Sequence, residues 1–324
     1  MNPRTKNFLS ICIKIIIIGL ALSYIFKKLN NNQSIDDFRM LLNDLSVKRV
    51  WFVLSVVTLL MFLNWFLESL KWRYLVRRIE NISIWKAVES VFCGLTWAIF
   101  TPNRIGEYGG RVLFLPPRKR IIGVVAMSIG SFGQLVVTNV IGALALFWFL
   151  SNFMNLNPFL LFGIGFLIFI FCGFFLLFYF NIHWIDGLLS RIKFIRRYKR
   201  FFGIFSRYNV SELFKVVIYC VLRYLVFTTQ YYLVIHLLIP DIRVLDMVMF
   251  LFILYFIQSA LPSIDLFNVG VRVGTASYLF AFITDHDLAI MASFAFIWVL
   301  NLIIPAILGS VFVLKLKFFD NSSN

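Results

Sequence analysis

A polar stretch at residues 101–111, reading TPNRIGEYGGR, interrupts an apolar segment that otherwise has the composition of a membrane helix. It carries three ionisable side chains, Arg104, Glu107 and Arg111. Ionisable groups within apolar membrane segments are uncommon and mark functional sites. A guanidinium group presents a planar fork of donors that fits a phosphate. The stretch therefore predicts a site for a phosphate-bearing ligand.

The same stretch contains residues that interrupt helices. Pro102 lacks a backbone donor and pushes the residue before it into an extended conformation. Gly106 and Gly110 permit turns that other residues resist. We therefore expect irregular backbone within an apolar segment, which survives at membrane depth only beside protein or a wet cavity. An ordinary cytoplasmic loop between two helices is the alternative.

A second polar break with the same parts lies late in the chain, at residues 262–272 (PSIDLFNVGVR). Pro262 opens it, and Gly270 comes shortly before Arg272, much as a glycine directly precedes Arg111. Opposed broken helices in two inverted halves form the midplane sites of many transporters. We predict that the arginines of the two breaks share one lipid phosphate. Two ordinary hairpins that happen to contain proline remain the alternative.

Other charged residues are candidates for supporting roles. Arg223 lies within a long apolar segment and is a weaker candidate for the same phosphate site. Buried arginines need partners, since a charge at the bilayer centre costs about 2.5–3.5 kcal/mol on insertion scales. Glu107, Asp265 and Glu89 are the candidate ion-pair partners. A purely structural alternative is that these ion pairs only fasten the broken helices together.

The composition places these breaks in a membrane protein. Of the 324 residues, 61% are hydrophobic and only 14% are charged, whereas a soluble domain is nearer half and a quarter. The net charge of +16 does not indicate nucleic-acid binding, because the Lys and Arg residues flank apolar segments. The four cysteines are isolated and the three histidines far apart, so we expect no disulfide, no metal site and no cofactor.

Apolar runs predict an all-α polytopic membrane fold in a single domain over residues 1–324. Six runs are long enough to span a bilayer: they are residues 8–26, 51–67, 121–150, 158–180, 213–238 and 288–314. The two segments that contain the breaks, 84–117 and 247–284, each begin and end on one side. Their arms are short for full spans, so we predict two re-entrant hairpins and interpret them as parts of an inverted repeat.

The distribution of Lys and Arg predicts the orientation. Twenty of these residues fall on the side of both termini and only six on the other side. By the positive-inside rule, both termini are cytoplasmic and the protein lies in the cytoplasmic membrane. The basic segment 181–215 is then expected to lie on anionic headgroups of the inner leaflet. The alternative is that these positive charges only keep the segment on the cytoplasmic side of the membrane.

Short motifs add a resemblance. They are Trp72, Arg73, Thr101, Pro102, Gly106, Glu107, Arg111, Leu261, Pro262, Ser263, Gly270, Val271 and Arg272. With these residues the chain resembles the lysylphosphatidylglycerol synthase transmembrane, or flippase-like, family. The resemblance implies a membrane bundle associated with lipid translocation or lipid-linked sugar pathways. Members fused to an aminoacyl-transferring domain modify phosphatidylglycerol; this chain ends at Asn324, after its last span, so we expect no such domain. Where relatives often carry an acidic residue before the late glycine, this chain has Asn268, with Asp265 nearby.

Two function classes remain open at this stage. The first is a transporter that moves an anionic or polyprenyl-linked lipid in cell-envelope metabolism. The second is a non-catalytic membrane partner that binds lipid or scaffolds an envelope-synthesis enzyme. An intramembrane transferase is less favoured, since no nucleophile with paired acids and no phosphate-cradling loop occur. The expected partners are membrane lipids with anionic headgroups, a possible envelope-synthesis enzyme, and no nucleic acid.

Overall fold

The structure is a computed structural model that describes residues 32–99, 101, 104–184, 203–260 and 269–315. Within these ranges the chain is helical and contains no strand. This confirms the all-α membrane fold.

The described helices are numbered here in chain order. They are α1 (Asn32–Asn43), α2 (Val47–Val76), α3 (Ile84–Ile99), α4 (Ile105–Val112), α5 (Arg120–Phe153), α6 (Pro158–Phe180), α7 (Val210–Leu238), α8 (Val244–Ala260), α9 (Val269–Phe280), α10 (Asp287–Trp298) and α11 (Ile304–Lys315). A π-helical segment, Val299–Ile303, joins α10 to α11 without a break. Single 3-10 turns occur at Pro117–Lys119 and Phe205–Arg207.

Four of the continuous helices are long and apolar enough to cross a membrane. They are Val47–Val76, Pro117–Phe153, Pro158–Phe180 and Asp287–Leu314. Their positions match four of the predicted spans, and α7 covers a fifth with its 29 residues. The first predicted span, residues 8–26, lies outside the described residues. The chain is therefore a multi-pass membrane protein, and the count of six full spans stays a prediction.

Helix α2 extends well past the apolar run that predicted it. The run ended at residue 67, but the helix continues to Val76. Lys71, one of the twenty basic residues that we placed on the side of the termini, lies on this extension and is only 3% exposed. Its charge is tolerated because it pairs inside the protein with Glu68 on the preceding turn.

The first break is shorter than the sequence suggested. Helix α3 ends at Ile99 and α4 begins at Ile105, so the second half of the predicted break is already helical. Arg104 adopts a left-handed conformation, with φ of 57°. Such a backbone is uncommon for a residue with a side chain and concentrates at functional sites. The Thr101 hydroxyl accepts the Gly106 backbone N–H at 2.7 Å, which stabilises the start of α4.

The glycines of this region are not the break residues that we predicted. Gly106 and Gly110 both lie within α4, and no glycine in the described ranges has a positive φ. They serve close packing instead. A Cβ on Gly110 would stand 2.7 Å from the Gly94 Cα, and one on Gly106 would stand 2.3 Å from the Trp97 carbonyl oxygen. Because glycine has no Cβ, α4 can pack closely against α3 as an antiparallel hairpin.

Most of the second predicted break lies outside the described residues. Residues 261–268, which include Pro262 and Asp265, lie outside the described residues. Helix α8 ends before them at Ala260, and α9 begins after them at Val269. Gly270 is a buried residue of α9 and not part of the break, which corrects the role that we assigned to it.

Candidate functional site

A buried carboxylate on α2 connects three helices. Glu68 is 4% exposed, and its Oε1 accepts the Arg111 Nη1 of α4 at 2.6 Å. Its Oε2 pairs with Lys71 Nζ at 2.8 Å and also accepts Arg223 Nη1 of α7. One carboxylate therefore balances three cations, which ties α2, α4 and α7 together at one point.

A second carboxylate completes this cluster from the first hairpin. Glu107 accepts Arg104 Nε at 2.9 Å through one oxygen and Arg111 Nη2 through the other. All four oxygens of Glu68 and Glu107 thus accept from cationic groups. With Lys71 and Arg223, the described part of the cluster holds four cations and two carboxylates, which sum to a charge of +2.

The cluster borders a cavity of about 470 Å³. Arg223 is near the middle of α7, and Gln134 and Thr138 flank the midpoint of α5. Asn301, near the middle of the continuous α10–α11 helix, also lines the cavity. The cavity therefore lies at mid-height of three long helices. A volume of this size suits a small molecule or a lipid headgroup.

The second break contributes to the same cavity. Arg272, in the first turn of α9, donates from Nη1 to the Gln258 Oε1 near the end of α8 at 3.2 Å. Both residues line the cavity, together with Ser259 and Tyr255 of α8. Arg104 at the first break and Arg272 just after the second, distant in sequence, thus line one cavity.

The structure separates the predicted site residues into lining and supporting positions. Arg104, Arg223, Arg272 and Glu107 line the cavity. Arg111 does not; it is 1% exposed and lies behind the wall, with both terminal nitrogens bonded to carboxylates.

The three supporting acids have different positions. Glu107 is the partner of Arg104 and Arg111, as the sequence suggested. Glu89 is half-buried on α3 and forms no ion pair within the ranges that the structure describes. Asp265 lies outside those ranges.

Sequence reasoning missed the polar face of α2. Asn64, Glu68 and Lys71 all line the cavity, and Arg223 Nε donates to the Asn64 Oδ1 at 3.0 Å. The Arg223 guanidinium also lies 5.4 Å from the Trp65 ring. Positions 64, 68 and 71 follow the spacing of one helix face, and this spacing was the available signal.

A contrasting charge cluster lies at the ends of the helices. Glu212, in the first turn of α7 and just before the predicted span, accepts Arg77 Nη2 at 2.7 Å and Arg78 Nη2 at 2.9 Å. Burial raises the pKa of this carboxyl, but the hydrogen bonds from the two arginines outweigh burial and hold the pKa below its ordinary value. The Asn209 backbone N–H also donates to it at 3.3 Å. The cluster joins α7 to the end of α2.

No group of three His, Cys, Asp or Glu side chains that could hold a metal ion occurs in the described part of the chain. What the cavity offers is a set of guanidinium and ammonium donors at fixed positions. Such donors bind phosphate or carboxylate groups, and arginine binds them with two parallel hydrogen bonds.

The fold and the cavity define a multi-pass helical membrane protein with a charged central site. The model of the family described as "Lysylphosphatidylglycerol synthase TM region" matches residues 11–309. The chain therefore belongs to this family, as its motifs suggested, and the family supports a membrane protein in lipid-related processes. No curated protein and no solved structure matches the chain.

Proposed function

We propose that the protein binds an anionic lipid by its phosphate in the central cavity and moves it across the cytoplasmic membrane. The observation that carries this proposal is the set of cations around one mid-height cavity. Arg104, Arg223 and Arg272 come from three different segments and all line it. Burying charge within a membrane protein is costly, so an assembled excess of cations favours an anionic ligand.

The environment of Arg223 supports a role in ligand binding. Its side chain is 15% exposed, while Arg111 behind it is 1% exposed. Arg223 shares Glu68 with two other cations, so the carboxylate does not neutralise it alone. A phosphate that accepts from Arg223 would relieve this excess charge.

Access from the lipid side also supports the proposal. Ser131 and Leu135 line the cavity and are exposed, and both lie in the middle region of α5. At this height of a membrane-spanning helix, an opening would face the bilayer and not the aqueous phase. A lipid could enter with its headgroup in the cavity and its acyl chains outside, because only the headgroup needs polar partners.

A reconstitution experiment tests this function. The purified full chain is placed in liposomes that contain fluorescent phosphatidylglycerol, and access of dithionite to the label reports movement between leaflets. We expect transport by the wild type and at least a tenfold loss in Arg223→Gln, the magnitude of one lost charge-assisted hydrogen bond. Arg118→Gln, which changes an exposed arginine away from the cavity, is the matched control and should transport normally.

The alternative function is a membrane partner that binds lipid or scaffolds an envelope-synthesis enzyme. It predicts lipid binding that is sensitive to Arg223→Gln but no movement between leaflets. Binding without movement would therefore select this alternative. Absence of both binding and movement would contradict the lipid proposal itself.

The proposed orientation places both termini in the cytoplasm. It is supported by the excess of Lys and Arg on the side of the termini. A cysteine introduced at Asn321 should react with a membrane-impermeant reagent only after the cells are opened. Labelling of intact cells at this position would reverse the orientation.

A further inference from the structure

Three cations share the two oxygens of the Glu68 carboxylate, and they are not distributed evenly. Among the described residues, Oε1 accepts from one cation, Arg111, through Nη1 at 2.6 Å. Oε2 accepts from two, Lys71 through Nζ at 2.8 Å and Arg223 through Nη1. Oε2 therefore keeps a cationic partner if one of its two donors leaves.

The two donors to Oε2 differ in their freedom to move. Lys71 lies on α2 close to Glu68 in sequence, and its stem packs against α5, where a Cβ on Gly130 would stand 3.4 Å from the Lys71 Cε. Arg223 comes from α7, and its side chain is more exposed than that of Lys71. Packing thus holds the Lys71 ammonium beside Glu68, whereas Arg223 has cavity space into which it can turn.

Arg223 is also anchored in a way that permits a change of partner. Its Nε donates to the Asn64 Oδ1 at 3.0 Å, and its guanidinium lies 5.4 Å from the centre of the Trp65 ring. A guanidinium has five N–H donors, so the bond from Nε does not occupy the terminal nitrogens. The group can therefore stay at the cavity wall while Nη1 moves from Glu68 to another acceptor.

The consequence for Glu68 depends on Lys71. If Arg223 turned to a phosphate, Glu68 would keep Arg111 at Oε1 and Lys71 at Oε2. Without Lys71, the same movement would leave Oε2 with no cationic partner. A buried charge that loses its partner is strongly destabilised, so Arg223 would then be held at Glu68 in competition with the ligand.

We propose that Lys71 is a positioning residue, which holds Glu68 so that Arg223 can exchange this carboxylate for the phosphate of a bound lipid. This inference rests on the proposed function and adds a step to it. Lys71 acts through Glu68 and Arg223, and no contact between Lys71 and the ligand is required. The exchange lets the cavity accept an anion without leaving a buried carboxylate oxygen unpaired.

The test measures the Kd of phosphatidylglycerol for the purified full chain, by native mass spectrometry or ligand-induced thermal shift. Lys71→Met keeps an unbranched apolar stem, and Glu68 retains Arg111 and Arg223, so the variant should fold. We expect its Kd to rise at least about tenfold, the magnitude of one lost charge-assisted hydrogen bond. Lys71→Arg keeps the cation and should bind within about threefold of the wild type. Lys71→Gln serves if Lys71→Met does not fold.

A double-mutant cycle separates the exchange from a plain loss of charge. In Arg223→Gln no guanidinium remains to be released, so adding Lys71→Met should change the Kd by less than about twofold. Arg272→Gln is the matched background, because Arg272 lines the cavity but donates to Gln258 and not to Glu68. There, Lys71→Met should again weaken binding at least about tenfold.

The outcomes distinguish this inference from the proposed function. Equal effects of Lys71→Met in the wild type and in Arg223→Gln would overturn the exchange, because a direct ligand contact, a loss of positive charge or a weakened fold would act in both. An unchanged Kd in Lys71→Met would overturn it as well. In both cases, lipid binding by the wild type would leave the proposed function standing. A wild type that does not bind phosphatidylglycerol would contradict the proposed function, and the exchange with it.

Discussion

The carboxylates of Glu68 and Glu212 each form ion pairs with several cations, but the two groups differ in burial. Glu68 and its partners Lys71 and Arg111 are almost completely buried. The arginines that bind Glu212 remain 45% and 46% exposed at the side chain. The pairs are chemically alike, but only the cations at Glu212 are largely exposed at the protein surface.

Depth determines what each cluster does for the protein. At Glu212, water and salt can replace a lost partner, so the cluster is a peripheral attachment between helices. At Glu68, a charge that loses its partner has no such substitute. The central cluster must therefore be balanced within the protein or by a bound ligand, and the proposed anionic lipid would supply such a balance.

The largest effect is expected from Glu68→Gln. The change leaves Arg111, Arg223 and Lys71 with one fewer buried negative charge. Removing one partner of a buried ion pair costs about 3–5 kcal/mol of unfolding free energy. We expect a large loss of monodisperse protein in detergent and a lower Tm, measured by fluorescence-detected size exclusion during heating.

The control for this change is Glu89→Gln. Glu89 is half-buried on α3 and forms no ion pair in the described ranges, so its Tm should stay close to that of the wild type. A Tm for Glu68→Gln equal to that of this control would contradict the claim that the buried cluster depends on each of its charges.

A second test exchanges an arginine for lysine in each cluster. Arg111 bridges two carboxylates with its two terminal nitrogens, and a lysine ammonium is too compact to reproduce this fork. We expect Arg111→Lys to lower the unfolding free energy by about 1.5–3 kcal/mol, the value of a hydrogen bond to a charged group. Arg78→Lys at Glu212 should cost less than about 1 kcal/mol, as for exposed pairs. Equal Tm losses in the two variants would argue against the role of depth.

The third test concerns how α4 reaches the central cluster. Gly110→Ala would place a Cβ 2.7 Å from the Gly94 Cα and push α4, with Glu107 and Arg111, away from Glu68. Overpacking of this kind costs about 1–3 kcal/mol. Gly109→Ala is the matched control, since nothing lies within 4 Å of its Cβ position. It should be neutral or raise Tm slightly through better helix propensity. A higher Tm for Gly110→Ala than for Gly109→Ala would refute the close-packing role.

The smallest effect is a pH dependence at the peripheral cluster. Because the pKa of Glu212 is lowered in the folded protein, its contribution is complete above the ordinary glutamate pKa of about 4.3 and is lost as pH falls below it. We expect Tm to drop as the pH falls from about 5 to about 3, and Glu212→Gln to reduce that drop. Glu89→Gln should leave the drop unchanged. A wild-type Tm that does not fall with pH would contradict this assignment.

The sequence predicted more of the fold than of the site. Apolar runs predicted the helical membrane fold, and the two polar breaks identified Arg104, Glu107 and Arg272, which line the cavity. It missed Glu68 and Lys71 because they follow an apolar run, where charges normally indicate the membrane boundary. Glu68 and Lys71 are buried because α7 packs beside α2. The order of residues along the sequence does not reveal that contact.

The glycines show the same limit. Glycine is compatible with both a left-handed turn and a close approach of two helices. Gly106 and Gly110 were therefore assigned to a turn, while the left-handed backbone falls on Arg104. Whether a glycine forms a turn or a close helix contact depends on the residue that packs against it. Here those neighbours are Gly94 and the Trp97 carbonyl, and only the tertiary structure reveals them.

The π-helical segment Val299–Ile303 determines which side of α11 faces α3, relative to the side of α10 that faces the cavity. Before and within it, Trp298 and Asn301 face the cavity. After it, Ala306 accepts the Thr96 hydroxyl at 2.8 Å, and a Cβ on Gly309 would stand 2.1 Å from the Phe92 carbonyl oxygen. Deleting one residue from the segment would restore an α-helix and turn everything after it by about 100°. One inserted residue thus lets a single helix face the cavity at its middle and seat tightly on α3 near its end.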